Sequence, residues 1–336
     1  MIGPPYLNTI FVPGPIDWPQ SELSISQALI EHPEDTLGIL HIRRLCYYVQ
    51  EKNEACLETC TQLLAFPLEN DYLSEVYGTM AHCYGEMGLQ ADALAYYEKA
   101  IDVWPEETEA RQNMGDYLSG LYQWDKAIPL YQRILELEPS ELDALSCLAF
   151  AYSQKGEHAK ARDCYQQGAE ASPEDDYWIG QVAKMNYITR HFQEAEKGFK
   201  QQLALNPTSE DALYGLGSCL QEKGDFYMAM HYYTKALELN PAHARSLNNI
   251  GKLYFDFEGD LKKAVEMIEK AIEASEKDDT DLRSMAYLNL KRMYMKIADH
   301  DKADYYHGKF MESFGFTYTE EEDDDAAQDS SDEADD

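Results

Sequence analysis

The side chains with chemical reach in this 336-residue chain are its seven cysteines, nine histidines and 62 carboxylates. Cys56 and Cys60 stand four apart, a spacing that sets two thiols on one face of a helix. Two thiolates hold a metal only when further ligands complete the set, and no histidine lies in that stretch to do so. The competing role is packing, each thiol filling a small buried space. There is no CxxC pair and the cysteine count is odd, so the thiols read as reduced and the chain as cytoplasmic. His300 and His307 are spaced to share a helix face, but His300 falls where a turn is expected. No HExxH, P-loop, GxSxG or phosphate-cradling glycine loop is present. The reading is of a chain without catalytic residues, metal or cofactor.

Charge narrows the partners. Lys plus Arg is 28 against 62 Asp plus Glu, a formal charge of −34. Such a chain repels phosphate backbones, which excludes general nucleic-acid binding, and it attracts basic partners. No Lys or Arg precedes Arg43, so neither a secretory n-region nor an Arg-rich transit peptide is expected. No apolar run reaches the length of a membrane span, so no membrane insertion is expected.

The elements that must position any site show as an internal repeat. Pro105, Pro139, Pro173, Pro207 and Pro241 recur every 34 residues. Pro33 and Pro67 share the spacing, and a four-residue insertion near Asn70–Leu73 separates the two series. Twelve residues before the five regular prolines stand Ala93, Ala127, Ala161, Ala195 and Ala229; eight before stand Tyr97, Tyr131, Tyr165, Phe199 and Tyr233. Twenty-four before them stand Ala81, Gly115, Ala149, Ala183 and Gly217. The small residues let paired helices approach, and the aromatic is expected to fill the gap between neighbouring units. Gly88, Gly156 and Gly224 fall where a first helix must stop, and glycine takes the left-handed cap without a Cβ clash. Each proline ends a second helix by biasing its predecessor away from helical geometry.

This pattern resembles the tetratricopeptide repeat (TPR) superfamily, whose unit is 34 residues of helix–turn–helix. The resemblance implies an all-α, right-handed superhelical solenoid of about eight units. Full repeats read at 74–107, 108–141, 142–175, 176–209 and 210–243. Divergent ones read at 36–69, at 244–278 with one extra residue around Phe257–Gly259, and at 284–317. The expected organisation is a Pro-rich extended arm over 1–19, a capping half-repeat helix over 20–35, the array over 36–317 and an acidic disordered tail over 318–336. Cys83 and Cys219 occupy a slot where the family prefers Ala, which implies buried filler.

The family binds peptides or helices in a concave surface lined by the first helix of each repeat. Carried over, its sixth slot holds Asn113, Gln181, Asn249 and Asn289, whose amides can grip a peptide backbone. Charge along the groove is uneven. Early repeats present Glu75, Glu109, Asp116 and Asp143, and late ones present Lys184, Arg245, Lys252, Arg292 and Lys296 beside Asn248. Two readings of the late cations stand: they pair with acids on the next helix, or they receive a carboxylate ligand. The clamp of TPR co-chaperones for acidic chaperone tails is not reproduced. Gly78 and His82, then Asn113, then Asp143 and Cys147 stand at its slots from one start; Gly180 and Lys184, then Gly215, then Arg245 and Asn249 from another. The expected function is a non-catalytic scaffold or adaptor for a partner protein's peptide or helix. A bacterial-type secretion chaperone and a structural subunit of an assembly are the alternatives, and no oligomeric state is assigned.

The ends carry further expectations. Residues 320–336 hold eleven acidic residues and no basic one, and without them the formal charge is still −23. That tail either solubilises the chain or folds back onto the late cations, and Ser330 and Ser331 lie in a setting that suits phosphorylation. Phe310, Phe314, Phe316 and Tyr318 either cover the last repeat or dock a partner.

Overall fold

The computed structural model describes residues 18–275 and 280–315. Most of the Pro-rich arm, Phe316, Tyr318 and the acidic tail with Ser330 and Ser331 therefore lie outside the described residues. Those described form seventeen α-helices and no strand. They divide into two units, one to Ser172 and one from Pro173.

The first unit opens with α1 (Trp18–Glu31), a 3-10 turn over Pro33–Asp35, and the pair α2 (Thr36–Val49) and α3 (Asn53–Leu63). It continues with α4 (Asn70–Glu86) and α5 (Gln90–Val103), α6 (Glu109–Gly120) and α7 (Trp124–Leu137), then α8 (Leu142–Gln154) and α9 (His158–Ala171). Within it each first helix packs on its own second helix and each second helix on the next first. Helix α1 starts two residues earlier than the expected arm boundary. Pro19 is tolerated there because the first-turn N–H groups of a helix have no intrahelical acceptor. The four inserted residues become an added turn at the start of α4, which has 17 residues where α6 has 12.

The second unit repeats the scheme with α10 (Asp176–Ile188) and α11 (Phe192–Leu205), α12 (Glu210–Glu222) and α13 (Phe226–Leu239). The pairs α14 (Ala244–Leu253) with α15 (Leu261–Ala274), and α16 (Thr280–Lys296) with α17 (His300–Glu312), complete it. His300 is the first residue of α17, not a turn residue, because Asp299 caps the helix by accepting from the Lys302 N–H. The extra residue near Phe257–Gly259 is absorbed as a π-turn over Tyr254–Glu258, closed by Gly259 at φ +70°.

Local backbone geometry explains the spacing. Trp104, Glu138, Ser172, Asn206 and Asn240, each preceding a repeat proline, leave the helix with ψ of 79°, 84°, 76°, 90° and 94°. The first-helix stop is left-handed at Gly88, Gly156 and Gly224, with φ of +75°, +76° and +82°. Tyr122 and Arg190 occupy the same slot at +57° and +64°, so the turn persists without glycine, at a conformational cost. Nothing lies within 4 Å of a Cβ built on Gly224. Gly224→Val should therefore cost about 1–2 kcal/mol through backbone strain alone. A lowered urea midpoint at unchanged slope is the expected result, and an unchanged midpoint would contradict the strain argument.

The core lies between first and second helices. A Cβ on Gly115 would come within 2.7 Å of the Tyr131 ring, and one on Gly217 within 2.5 Å of Tyr233. The repeat aromatic thus seats on the small residue of its own repeat. It also reaches onward as expected: a Cβ on Gly215 would meet Phe199 of the preceding repeat at 2.4 Å. Cys83 and Cys219 are fully buried small fillers, and burial first, then Glu196 nearby, push the Cys219 thiol up to about 12. Such thiols are poor nucleophiles at neutral pH.

Candidate functional site

In the second unit, three of the amides expected to meet a ligand, Asn248, Asn249 and Asn289, form hydrogen bonds with one another. Asn248 is 1% exposed, and its Oδ1 accepts from Asn289 Nδ2 at 2.9 Å, joining α14 to α16. Its own Nδ2 leans on Asn249 Oδ1 at 3.4 Å, and Asn249 Nδ2 donates to the Tyr233 hydroxyl at 3.1 Å. Buried amides left unsatisfied would be destabilising, so this network fixes the register of three helices.

The cations divide in the same way. Arg292 Nη2 donates to both Asp256 oxygens at 2.9 and 2.7 Å, and Lys296 Nζ to Oδ1 at 3.3 Å. Desolvation works to raise the Asp256 pKa, but the hydrogen bonds from Arg292 and Lys296 outweigh it and hold the carboxyl below its usual range. The π-turn delivers Asp256 to that position. Lys184, Arg245 and Lys252 differ: none forms an ion pair with another described residue. Lys184 and Arg245 are exposed, on α10 and α14, and Gln181 is half-buried on α10. A cleft of about 200 Å³ brings Lys252 and Arg292 together with Gln221, Phe226, Asp256 and Phe257. Gln181, Lys184, Arg245 and Asn289 lie outside its lining.

The first unit holds a larger pocket, about 580 Å³, framed by α2, α4 and α6. Asn113 lines it from α6, next to Glu109 and Asp116. Its floor is Arg44, 2% exposed, which donates to Thr79 Oγ1 and, at 2.5 Å, to Glu75 Oε1. Tyr48, Tyr97, Trp104 and Tyr117 supply aromatic walls. Burial first, then the phenols of Tyr48 and Tyr117 and the acids Asp116 and Glu86, raise the Tyr97 phenol to about 12. Sequence reasoning found Glu75, Glu109 and Asp116 but missed Arg44, the rings and Glu86. Arg44 belongs to a divergent repeat, and the rings come from slots that the inherited groove pattern does not mark. The net acidity of the early repeats was the one signal pointing here.

Among the described residues, no three His, Cys, Asp or Glu side chains are arranged to hold a metal ion, and no helix is long and apolar enough to cross a membrane.

Comparison with known proteins follows the helix-pair geometry. Residues 74–106, 118–184 and 208–277 each match tetratricopeptide repeat family models. Among curated relatives, tetratricopeptide repeat protein 8 of Caenorhabditis elegans is 27% identical over 202 residues, 59% of this chain and 39% of its own. Anaphase-promoting complex subunit 3 of Schizosaccharomyces pombe is 24% identical over 225 residues, 65% of this chain and 33% of its own. The chain thus spans between a third and two-fifths of the length of these relatives. A crystal structure of a tetratricopeptide repeat protein from Parabacteroides merdae superposes with a TM-score of 0.62 at 18% identity, covering 74% of this chain and 94% of that one. Repeats of this fold serve in general as protein–protein interaction scaffolds. With the 34-residue register, the paired helices and these matches in agreement, the chain belongs to the tetratricopeptide repeat family.

Proposed function

We propose that this protein is a non-catalytic adaptor that holds a segment of a partner protein against the first helices of its repeats. The observation that carries the reading is the trio Lys184, Arg245 and Lys252. In a chain of net charge −34, three first-helix cations have no carboxylate partner among the described residues. An unneutralised cation in so acidic a field is suited to an acidic or carboxylate-terminated ligand. Lys252 stands beside Phe226 and Phe257 at the cleft, so a ligand there meets charge and apolar surface together. Seven cysteines without a disulfide fit a cytoplasmic setting.

The test is affinity capture from native lysate with wild type and a Lys184→Glu, Arg245→Glu, Lys252→Glu variant. Arg292 is left intact, because a carboxylate there would face Asp256. The expected result is a partner captured by wild type and lost, or weakened at least tenfold, with the folded variant. A partner retained by both would overturn the groove reading. It would favour a structural subunit that assembles through its ends, where Phe314 is exposed, as one relative's name describes a complex subunit.

A further inference from the structure

We propose that the pocket between α2, α4 and α6 receives a lysine or arginine side chain from a partner's extended segment. The inference rests on the adaptor reading, and it assigns the opposite charge preference to the first unit.

The pocket is built for a cation. Six carboxylates line it against one buried guanidinium, and only Glu75 is neutralised by Arg44. Two of the others have structural duties: Glu107 accepts from the N–H groups of Glu109 and Ala110, and Asp116 accepts from the Tyr131 hydroxyl at 2.8 Å. Glu86 and Glu109 are exposed and form no ion pair with a described residue, so both are available to an incoming charge. An anionic ligand would face this field unfavourably.

The walls and floor add independent observations. Tyr48 and Trp104 are each 40% exposed at the rim, with the rings of Tyr97 and Tyr117 deeper, and aromatic faces attract desolvated cations. The phenol of Tyr117 is raised by burial and by the nearby Glu86 carboxylate, consistent with a negative, partly dry cavity. Arg44, 98% buried, has an Nε donor without an acceptor among the described residues. A peptide carries the complement that the acids and rings call for, a cationic side chain. At about 580 Å³ the pocket has room for a long side chain together with the adjoining backbone.

The probe is a fluorescently labelled, end-capped peptide of about ten residues with lysines in a Gly/Ser frame, titrated by anisotropy against the full chain. A Glu86→Gln, Glu109→Gln variant removes two pocket charges. An Asp92→Asn, Glu98→Gln variant removes two exposed α5 charges outside the pocket, giving the same net change. Trp104→Leu removes a wall without altering charge. The expected result is a lysine peptide that binds wild type and weakens as salt rises. The pocket variant should lose roughly tenfold in affinity, Trp104→Leu several-fold, and the α5 variant less than twofold. A peptide with glutamine in place of lysine should not bind. No binding of the lysine peptide, or equal losses in the two charge variants, would overturn the proposal; the latter would show a diffuse field instead of a site. Failure here alongside a client lost by the Lys184, Arg245 and Lys252 variant removes the pocket and leaves the adaptor. Peptide binding with a retained client removes the groove trio and leaves the pocket.

Discussion

Replacing Tyr233 by alanine is expected to lower the unfolding free energy by about 3–5 kcal/mol, the largest single loss predicted for this chain. Tyr233 is 0% exposed and packs with Ala229 of its own helix and with Ile250 and Leu253 of α14 in the next repeat. Its ring lies where a Cβ on Gly217 would stand, so no neighbouring side chain can swing in to fill the void. The loss has a polar component as well. The hydroxyl reaches Ser218 Oγ at 3.2 Å and Gln221 Oε1 at 3.1 Å, and it accepts from Asn249 Nδ2. Tyr233→Phe keeps the ring and leaves those groups unmatched, at about 1–2 kcal/mol. Urea unfolding followed by circular dichroism separates the terms: the alanine midpoint should fall well below the phenylalanine midpoint. Equal midpoints would mean that the hydroxyl network, and not the ring, holds this pair of repeats. Because a repeat array can unfold in parts, the slope must be compared with wild type before midpoints are converted to free energies.

Gly251→Val is expected to cost about 3 kcal/mol although valine is the better helix former. A Cβ at Gly251 would stand 2.5 Å from Ile268 Cγ1 and 2.9 Å from the carbonyl oxygen of Ala264. Ile268 could turn away, but the Ala264 carbonyl is helix backbone, and moving it means shifting α15 as a body. The crossing of α14 and α15 is therefore set by the missing side chain. Pairing Gly251→Val with Ile268→Ala should fail to restore the wild-type midpoint, since the backbone contact remains and a cavity is added. Restoration by that double variant would show that side-chain crowding alone sets the approach.

Both predictions begin from features visible along the chain, and their magnitudes come from the fold. Tyr233 was legible as one of five aromatics in register, and Gly217 as its small counterpart. Gly251 continues that small-residue column, 34 residues after Gly217, into the divergent repeat, but only the crossing of α14 over α15 shows that it admits Ile268 and the Ala264 carbonyl there. The groove was legible to a similar degree. The late cations were found by slot, yet Arg292 and Lys184, alike in charge, differ because one meets Asp256 and the other meets no described acid.

The sequence by itself determined the 34-residue register of the helix pairs, which residues are small or aromatic at each crossing, and the sign of charge in each region. Those properties are local: a proline biases its own predecessor, and a glycine after a helix end takes positive φ without a Cβ clash. Tertiary structure alone decided which polar groups remain for a partner. Asp256 and Arg292 are 36 residues apart, and one extra residue taken up as a π-turn brings them together. Arg44 and Glu75 meet across 31 residues to form the floor of the acidic pocket. Partnership between side chains depends on the offset and approach of neighbouring helices, which small residues set through contacts no linear spacing records.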